Sequence, residues 1–383
     1  MKSDIKGETV AGNDDGKKSI PGWIKAVMIT ICAVTVVLLV ALAFVVHKWQ
    51  RATVLTADMF RAGEQGGISV YKVNELDEAN GRDTADKYKD GTTITWGGKK
   101  YRYNDNLINI LVMGIDDYGL KGGGGDANPY QADTIVLGTV DALKKTVSFM
   151  SIPRDTVTTI KVLDLNDEVA TKRKGPIAIQ HSFGSQGDKT NEAVAQTVSD
   201  LLYGVPIYRY VAVDISAIPN INDELGGISV DITEDLTKWN PDMKEGTTDY
   251  LLKGNDAIVF VARRDTDIDD SAMGRMKRQV QYMKKLFPAL KEKTRGNLTF
   301  PIMLYNKEEG KVSTNLSIDE MTYLAKIMLD LEMDENNIVS VPGQMEHIEP
   351  GQIEDYEFEM GYIVDEDALK QLVVDRFYTL IEE

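Results

Sequence analysis

The sequence is poor in cysteine, in histidine and in positive charge. Cys32 is the single cysteine among 383 residues, so a disulfide within the chain is excluded and packing must hold the fold. The three histidines, His47, His181 and His347, are scattered and show no metal-ligand spacing. We expect His181 to be a hydrogen-bonded structural residue rather than one that lines a cleft. The net charge of −17 argues against a nucleic-acid partner, because such binding depends on neutralising phosphates with Lys and Arg.

Residues 24–46 form a long apolar run, interrupted by Lys25 near its start and by Thr30 and Thr35. A helix needs roughly 20 such residues to cross a bilayer, so the run predicts a transmembrane helix. A cleavable signal peptide is the alternative, because Ala41 and Ala43 resemble a small-residue cleavage site. The apolar residues continue beyond them and exceed a typical signal-peptide core. We therefore predict an uncleaved membrane anchor.

Basic residues near this run favour a cytoplasmic N-terminus, because they are more numerous before the span than after it. They are Lys2, Lys6, Lys17, Lys18 and Lys25 on one side, and Lys48, Arg51 and Arg61 on the other. The sequence thus predicts a cytoplasmic tail at 1–23 and an extracytoplasmic remainder.

Beyond the anchor, the pattern predicts a juxtamembrane stalk with a small β accessory at 47–105. A strand–Gly-Gly–strand pattern at 92–103 is typical of a hairpin. Strands alternating with amphipathic helices over 106–295 predict a layered α-β-α core around a mixed central sheet. Residues 296–383 are expected to add α/β elements that pack on this core, including a helix opened by a capping box at Ser317 and Glu320 and another from Asp365 to the C-terminus.

The core sequence contains three apolar strands with charged residues beside them. One runs from Leu107 to Asp116, the next follows Asp133, and the third, at 146–156, carries Arg154 near its end. Strands this apolar are typical of a sheet buried on both faces, and open α/β sheets bind ligands at strand ends. Ordinary solvated strand ends are the alternative for each residue taken alone. The combination predicts a site for a divalent cation and a phosphate group.

A second cluster of charge supports the same interpretation. Arg264 precedes an Asp-rich loop, and Arg275, Arg278 and Gln279 follow at helical spacing, on one predicted helix face. Arginine binds phosphate oxygens in a bidentate manner that lysine does not reproduce. A solvated basic helix face is the alternative.

Asp116 and Asp133 match the preference of Mg²⁺ for one or two carboxylates, with phosphate oxygens and water completing its shell. Four glycines at 122–125 lie between them, but the Lys-Ser/Thr ending of a Walker motif is missing. We predict a mobile flap there, with a plain disordered loop as the alternative. Ser151 lacks a nucleophile-elbow context, which excludes a serine hydrolase of that type.

The chain resembles the LytR–CpsA–Psr family of cell-envelope proteins over roughly 106–295, with weaker similarity to the C-terminus. The resemblance rests on the order and spacing of several motifs. They are ILVMGID at 110–116, ADT at 132–134, SIPRDT at 151–156, LYGVP at 202–206, VAVD at 211–214, LGGI at 225–228, Arg264, and RMKRQ at 275–279.

This resemblance implies a membrane-bound phosphotransferase that moves an anionic glycopolymer, such as teichoic acid or capsule, from a polyprenyl-pyrophosphate carrier to peptidoglycan in a Gram-positive-type envelope. It implies that Asp116 and Asp133 hold Mg²⁺ and support removal of a proton from the acceptor hydroxyl. The pyrophosphate-binding residues that it implies are Arg154, Arg264, Arg275, Arg278 and Gln279, of which Arg154 also has a catalytic role. The lipid tail is expected in an apolar pocket between sheet and helices.

The chain departs from the family pattern at Tyr118, Gln131, Ala178 and Ala262, where members often carry basic residues. Two alternative functions therefore stay open. One is an envelope sensor or scaffold that binds lipid pyrophosphate without turnover, and the other is a pyrophosphatase that uses water as the acceptor.

Overall fold

The structure is a computed structural model that describes residues 60, 93–116, 130–164, 166, 168–183, 188–265 and 271–382. All of them belong to the compact unit Ala52–Glu383. Within the described ranges, no helix has the length and apolar character needed to cross a membrane. The predicted anchor at 24–46 lies outside these ranges.

The described part of the chain contains fifteen strands, seven α-helices and two short 3-10 helices. The strands are β1 (Thr93–Trp96), β2 (Lys99–Tyr103), β3 (Leu107–Asp116), β4 (Gln131–Asp141), β5 (Thr146–Ile152), β6 (Val157–Leu163), β7 (Val169–Pro176), β8 (Arg209–Asp214), β9 (Ile228–Val230), β10 (Tyr250–Leu252), β11 (Val312–Thr314), β12 (Glu332–Ser340), β13 (Gly343–His347), β14 (Met360–Val364) and β15 (Tyr378–Glu382). The helices are α1 (Asp188–Leu201), α2 (Ile218–Glu224), α3 (Asn255–Ala262), α4 (Ser271–Gly296), α5 (Phe300–Lys307), α6 (Ile318–Met328) and α7 (Glu366–Phe377), with 3-10 helices at Ile177–Phe183 and Ile215–Ala217.

A six-stranded sheet of order β11-β8-β3-β4-β5-β12 forms the centre of the fold. The pairs β3–β8 and β5–β12 are parallel, and the other pairs are antiparallel, so the sheet is mixed as predicted. Both edge strands, β11 and β12, come from beyond residue 295. The central sheet therefore extends past the predicted core boundary at 106–295.

Helices cover both faces of this sheet. Alternate residues of each strand point to opposite faces, so each face packs against its own layer of helices. On one side, Leu111 and Met113 of β3 belong to a buried cluster that includes residues of α1 and α7. On the other side, Ile110 of β3 packs with a cluster that includes residues of α4 and α6. A third cluster joins α2, α3, β9 and β10 to α4. The predicted α-β-α layering is therefore present.

The hairpin predicted at 92–103 is present as β1 and β2, connected by Gly97 and Gly98 at positive φ. The predicted helix from Asp365 to the C-terminus is wrong in its last part. Helix α7 ends at Phe377, and β15 pairs with β2, with Tyr378 opposite Tyr103. The aromatic and β-branched residues of β15 favour a strand, and the edge of β2 supplies its backbone hydrogen-bond partners.

Helix α6 begins with the predicted capping box. The Ser317 hydroxyl accepts a hydrogen bond from the Glu320 amide at 3.2 Å, and the Glu320 carboxylate accepts one from the Ser317 amide at 2.7 Å. The same Glu320 carboxylate also accepts two hydrogen bonds from Arg209, at 2.9 and 2.7 Å, and both of these side chains are buried. The cap thus connects the start of α6 to β8 of the central sheet.

We expect Ser317→Ala to lower the free energy of unfolding by about 1 kcal/mol, because the substitution removes a helix-capping acceptor. Urea denaturation of the full chain measures this loss. Ser317→Asp keeps a side-chain oxygen at the same place and should restore most of the stability; equal loss in both variants would contradict a capping role.

Candidate active site

Asp133 lies at a β-bulge in β4. Gly114 of β3 pairs with Thr134, whereas the next residue, Ile115, pairs with Ala132, so Asp133 is the extra residue on its strand. Bulges bend a strand and redirect side chains, and they are common next to active sites. The bulge therefore sets the direction of the Asp133 side chain at this end of the central sheet.

Arg154 reaches this carboxylate from the turn that follows β5. Within that turn, the amide and the hydroxyl of Thr156 both donate to the carbonyl of Pro153, at 3.0 and 2.6 Å. The Arg154 guanidinium donates one hydrogen bond to Asp133 and another to the side-chain carbonyl of Gln131. Its Nε lies 3.5 Å from Oδ1 of Asp155. Neighbouring strands β4 and β5 therefore bring an acid and an arginine together, as the sequence predicted.

Arg275, near the start of α4, approaches the same carboxylate from the helical layer. Its Nη1 lies 3.6 Å from Oδ2 of Asp133, and the residue is only 6% exposed. Burial lowers the pKa of Arg275, while attraction to Asp133 raises it, and repulsion from Arg154 and Arg264 lowers it further. Arg154 and Arg275 thus both contact the Asp133 carboxylate, one from the sheet and one from α4.

Arg264 lies beside the start of α4, where its Nη1 is 3.5 Å from the hydroxyl of Ser271. The carboxylates of Asp133 and Asp155 also line the cleft between these elements. Arg154 and Arg275 face the carboxylates of Asp133 and Asp155 in the lining of the cleft, and Arg264 contacts α4 one helical turn before Arg275. Guanidinium groups that are partly shielded from water bind a multiply charged anion through charge-assisted hydrogen bonds.

The remaining two predicted binding residues have different positions. Gln279 lines the cleft and donates to the carbonyl of Val261 at 3.0 Å. The structure does not place Arg278 with the other arginines. Its guanidinium is buried against Glu234 and against backbone carbonyls near the end of α3.

The predicted magnesium ligands are described only in part. The backbone of Asp116 pairs with Gln131, at the same end of the sheet as Asp133, but the Asp116 side chain lies outside what the structure describes. Among the described residues there is no group of three or more acidic, histidine or cysteine side chains placed to hold a metal ion. The carboxylate oxygens of Asp133 and Asp155 on the cleft are nevertheless the hard donors that Mg²⁺ prefers together with phosphate oxygens.

His181 has structural hydrogen bonds, as expected. Its Nδ1 lies 2.6 Å from the carbonyl of Tyr130, and its Nε2 lies 3.1 Å from Oδ1 of Asn191. Tyr130 has a left-handed backbone with φ of 74° and immediately precedes β4. His181 therefore holds the strand entry that leads to Gln131 and Asp133. The predicted flap at 122–125 lies outside the described residues.

An apolar cavity of about 390 Å³ lies between helices α4, α5 and α6 and the face of the central sheet that packs against them. Its lining from the sheet includes Val112, Gly138, Val147, Phe149 and Val211, and its lining from the helices includes Met283, Leu286, Leu304, Leu324 and Met328. An apolar pocket between sheet and helices, as the family resemblance implies, is therefore present.

Two elements extend continuously from the polar cleft to this apolar cavity. On α4, Met276 and Gln279 line the cleft, and Met283 and Leu286 line the cavity at i+3 and i+4 spacing, which keeps them on one helix face. On β5, Ser151 lines the cleft and Phe149, two residues earlier on the same strand face, lines the cavity. A ligand with a charged head and an apolar tail matches this arrangement.

A family model for the LytR_cpsA_psr family matches residues 69–373, well over half of the sequence. The chain belongs to the LytR_cpsA_psr family. The resemblance predicted from the strand-end motifs is confirmed, and the match extends well beyond residue 295 to the C-terminal elements.

Several known proteins are similar to this LytR_cpsA_psr chain. The polyisoprenyl-teichoic acid–peptidoglycan teichoic acid transferase TagV of Bacillus subtilis is 28% identical, over 74% of this chain and 68% of its own length. The TagU transferase of Bacillus licheniformis is 28% identical, over 57% of this chain and 63% of its own length. The crystal structure of B. subtilis TagV matches with a TM-score of 0.51 at 23% identity, over 70% of this chain and 96% of that chain, which shows a shared fold.

Some cleft residues of this LytR_cpsA_psr protein were missed by sequence reasoning. Met273, Met276 and Met345 contribute apolar lining, and Met345 comes from β13, far from the core motifs. Gln131 was considered only as a departure from the family pattern, yet it accepts a hydrogen bond from Arg154. Asp155 was visible in the SIPRDT motif, and its position directly after Arg154 was a usable signal.

Proposed function

We propose that this protein is a membrane-anchored, extracytoplasmic transferase that moves an anionic glycopolymer from a polyprenyl-pyrophosphate carrier to peptidoglycan. The observation that carries the proposal is the continuous wall of α4 and β5, which joins a cleft lined by Arg154 and Arg275 to an apolar cavity. The pyrophosphate fits the cleft by charge, and the polyprenyl chain fits the cavity by its apolar lining. The names of the relatives TagV and TagU support the choice of donor and acceptor.

The arginines would exchange partners when the donor binds. The cleft as described has free space of only about 20 Å³, roughly one water molecule, because Arg154 and Arg275 are turned onto Asp133. Phosphate oxygens would take over these guanidinium contacts and leave the Asp133 carboxylate available. Phosphoryl transfer depends mainly on positioning and charge stabilisation, which this exchange provides.

The reaction then requires one proton acceptor and one leaving group. A sugar hydroxyl of the acceptor attacks the phosphorus next to the glycan, and Asp133 accepts the hydroxyl proton. The bond between this phosphorus and the bridging oxygen breaks, and the lipid phosphate leaves with the bond electrons. Arg154, Arg264 and Arg275 stabilise the charge that develops on the phosphate oxygens. Mg²⁺, held by Asp116 and Asp133, would supply further neutralisation of that charge.

The proposed anchor at 24–46 would confine the enzyme to the surface where its lipid donor resides and so raise their effective concentration. We propose a cytoplasmic N-terminus and a catalytic part outside the membrane.

The test is a reconstitution of the full chain in lipid vesicles with Mg²⁺, a polyprenyl-pyrophosphate glycan and peptidoglycan fragments. Glycan joined covalently to peptidoglycan, detected by mass spectrometry, is the expected product. Release of free glycan phosphate would instead identify a pyrophosphatase. Donor that binds but stays unchanged would identify a sensor or scaffold, and either result would contradict the proposal.

Arg275→Ala should raise the donor KM, lower kcat, or both, so that kcat/KM falls on the order of 10- to 100-fold. The reason is that a charge-assisted hydrogen bond is worth about 1.5–3 kcal/mol. Steady-state rates in the same vesicles measure this. Arg295→Ala, which removes an exposed ion pair with Glu292 on the same helix, is the control and should leave the rates unchanged.

A further inference from the structure

The guanidinium of Arg278 holds the end of α3. It is fully buried and donates from Nε to Oε1 of Glu234 at 2.6 Å. Its two Nη atoms donate to the carbonyls of Val259, at 3.3 Å, and of Phe260 and Arg263. Carbonyls at a helix C-terminus lack a full set of backbone donors. Arg278, although it belongs to α4, supplies donors for this end of α3.

Glu234 supplies the counter-charge for this buried cation. Burial lowers the pKa of Arg278, and the charge and hydrogen bond of Glu234 raise it. A buried charge that loses its partner is strongly destabilising, so Arg278 depends on Glu234 for its position. Glu234 lies in the segment between β9 and β10, and the side chain is about one third exposed, at 33%.

The end of α3 matters because the chain continues from it directly into Arg264. Gln279, the residue after Arg278, donates to the carbonyl of Val261 and so holds the same turn from the cleft side. Two successive side chains of α4 therefore hold the turn that leads into Arg264. The guanidinium of Arg264 reaches the start of α4, where its Nη1 lies 3.5 Å from the hydroxyl of Ser271, one helical turn before Arg275.

We propose that Glu234 and Arg278 are positioning residues, which fix the end of α3 so that Arg264 and Arg275 bind one pyrophosphate together. This inference rests on the proposed function and assigns Arg278 a role different from direct contact with the ligand. Displacing a binding group by about 1 Å can cost as much as 10²-fold in rate, so such support has a measurable value.

Gly274 gives an independent indication of this arrangement. A Cβ atom at Gly274 would lie 2.9 Å from Oε1 and 3.0 Å from Oε2 of Glu234. The carboxylate has little freedom to move away, because Arg278 holds it at 2.6 Å. Gly274 directly precedes Arg275, so the close approach of Glu234 occurs beside the cleft.

The experiment compares Glu234→Ala and Glu234→Gln in the full chain, with inorganic pyrophosphate as the probe in calorimetry and with donor kinetics in vesicles. Glu234→Ala should weaken pyrophosphate binding about tenfold and raise the donor KM more than it lowers kcat. Glu234→Gln should recover most of the affinity, because its amide oxygen still accepts from Nε of Arg278. Unchanged affinity in Glu234→Ala would overturn the inference.

A matched control separates positioning from general loss of stability. Asp200, which is 32% exposed, forms an ion pair at 2.7 Å with Lys161, which is 8% exposed, so this pair resembles that of Glu234 and Arg278. Asp200→Ala should lower stability and leave pyrophosphate affinity unchanged. An equal loss of affinity in Asp200→Ala and Glu234→Ala would overturn the positioning role.

Gly274→Ala completes a double-mutant cycle. In the natural background, the added methyl group should displace the Glu234 carboxylate and weaken pyrophosphate binding. In the Glu234→Ala background, the same substitution meets no carboxylate and should have no further effect. Additive losses would show that the two residues act independently and would contradict the inference.

Failure of the proposed function is distinguishable from failure of this inference. If the natural chain does not bind pyrophosphate, both are overturned. If it binds, and Arg275→Ala weakens the binding whereas Glu234→Ala does not, the binding site stands and only the positioning role is lost.

Discussion

Asp133→Ala is expected to reduce glycopolymer transfer by about 10³-fold, because it removes the proposed proton acceptor, and general base catalysis typically contributes 10²–10⁴-fold. The same substitution removes the carboxylate that pairs with Arg154 and Arg275. The rate of product formation in vesicles measures the loss. Circular dichroism and urea denaturation check that the variant keeps its fold.

The affinity for inorganic pyrophosphate should not fall in Asp133→Ala, in contrast to the rate of transfer. Asp133→Ala leaves the positive charge of Arg154 and Arg275 uncompensated, so inorganic pyrophosphate, titrated without a divalent cation, should bind at least as tightly as to the natural chain. Loss of turnover together with retained or increased anion affinity is the signature expected of a catalytic carboxylate in a phosphate site.

Two further variants make the Asp133 prediction specific. Asp133→Asn retains the size of the side chain and an oxygen that accepts from Arg154, but it does not accept a proton, so it should be nearly as inactive as Asp133→Ala. Asp330→Ala removes an acid that forms an exposed ion pair with Lys145 and should remain active. Transfer at the natural rate by Asp133→Ala would eliminate the proposed mechanism.

Gly138→Leu should abolish use of the long-chain donor, with kcat/KM lower by at least about 10²-fold, because the new side chain would occupy the apolar cavity. Gly138 lies on β4 within the cavity lining, and a Cβ atom there meets Phe149 at 3.5 Å and the Ile110 carbonyl at 3.6 Å, which are ordinary contacts. Burial of a leucine side chain is worth about 1.5–3 kcal/mol, so stability should not fall.

The graded series Gly138→Ala, Gly138→Val and Gly138→Leu provides the control within one position. Donor KM should rise with side-chain volume, while the affinity for inorganic pyrophosphate, which uses only the cleft, should stay constant. A fall in pyrophosphate affinity that accompanies the rise in donor KM would indicate distortion of the sheet rather than occupation of the cavity. An unchanged donor KM in Gly138→Leu would show that the lipid binds elsewhere.

Much of the site was predictable because it depends on strands that are neighbours in both sequence and space. The apolar strands β3, β4 and β5 follow one another, so residues at their ends meet, and Asp133 and Arg154 were brought together as expected. Arg275 was predictable from helical spacing. The sequence pattern thus contained enough information for the carboxylate and for the two arginines that contact it, Arg154 and Arg275.

The different position of Arg278 has a simple geometric reason. A residue at i+3 lies about 60° to one side of residue i, and a residue at i+4 lies about 40° to the other side. Arg278 and Gln279 are therefore separated by about 100° around α4, although both neighbour Arg275. One turns toward the end of α3 and the other toward the cleft. The position of α3, which depends on long-range packing, determines which of these two residues faces α3 and which faces the cleft.

Long-range pairing also explains the elements that the sequence did not predict. Strand β15 forms where β2 offers an edge, although the paired residues Tyr103 and Tyr378 are 275 residues apart in the sequence. The edge strands β11 and β12 were likewise assigned to elements packing on the core rather than to the central sheet. Local patterns indicate that a segment is extended or helical, but they contain no information about which distant partner completes its hydrogen bonds.

The extra residue in β4 has a consequence for how this protein tolerates change. Because Asp133 is directed by the number of residues between Ala132 and Thr134, and not by the identity of its neighbours, apolar strand residues are free to vary as long as chain length is kept. Losing one residue here would restore a regular ladder and move the acid out of its place. The placement of this carboxylate is thus encoded as a count, and a one-codon deletion would disturb it more than many substitutions in the same strands.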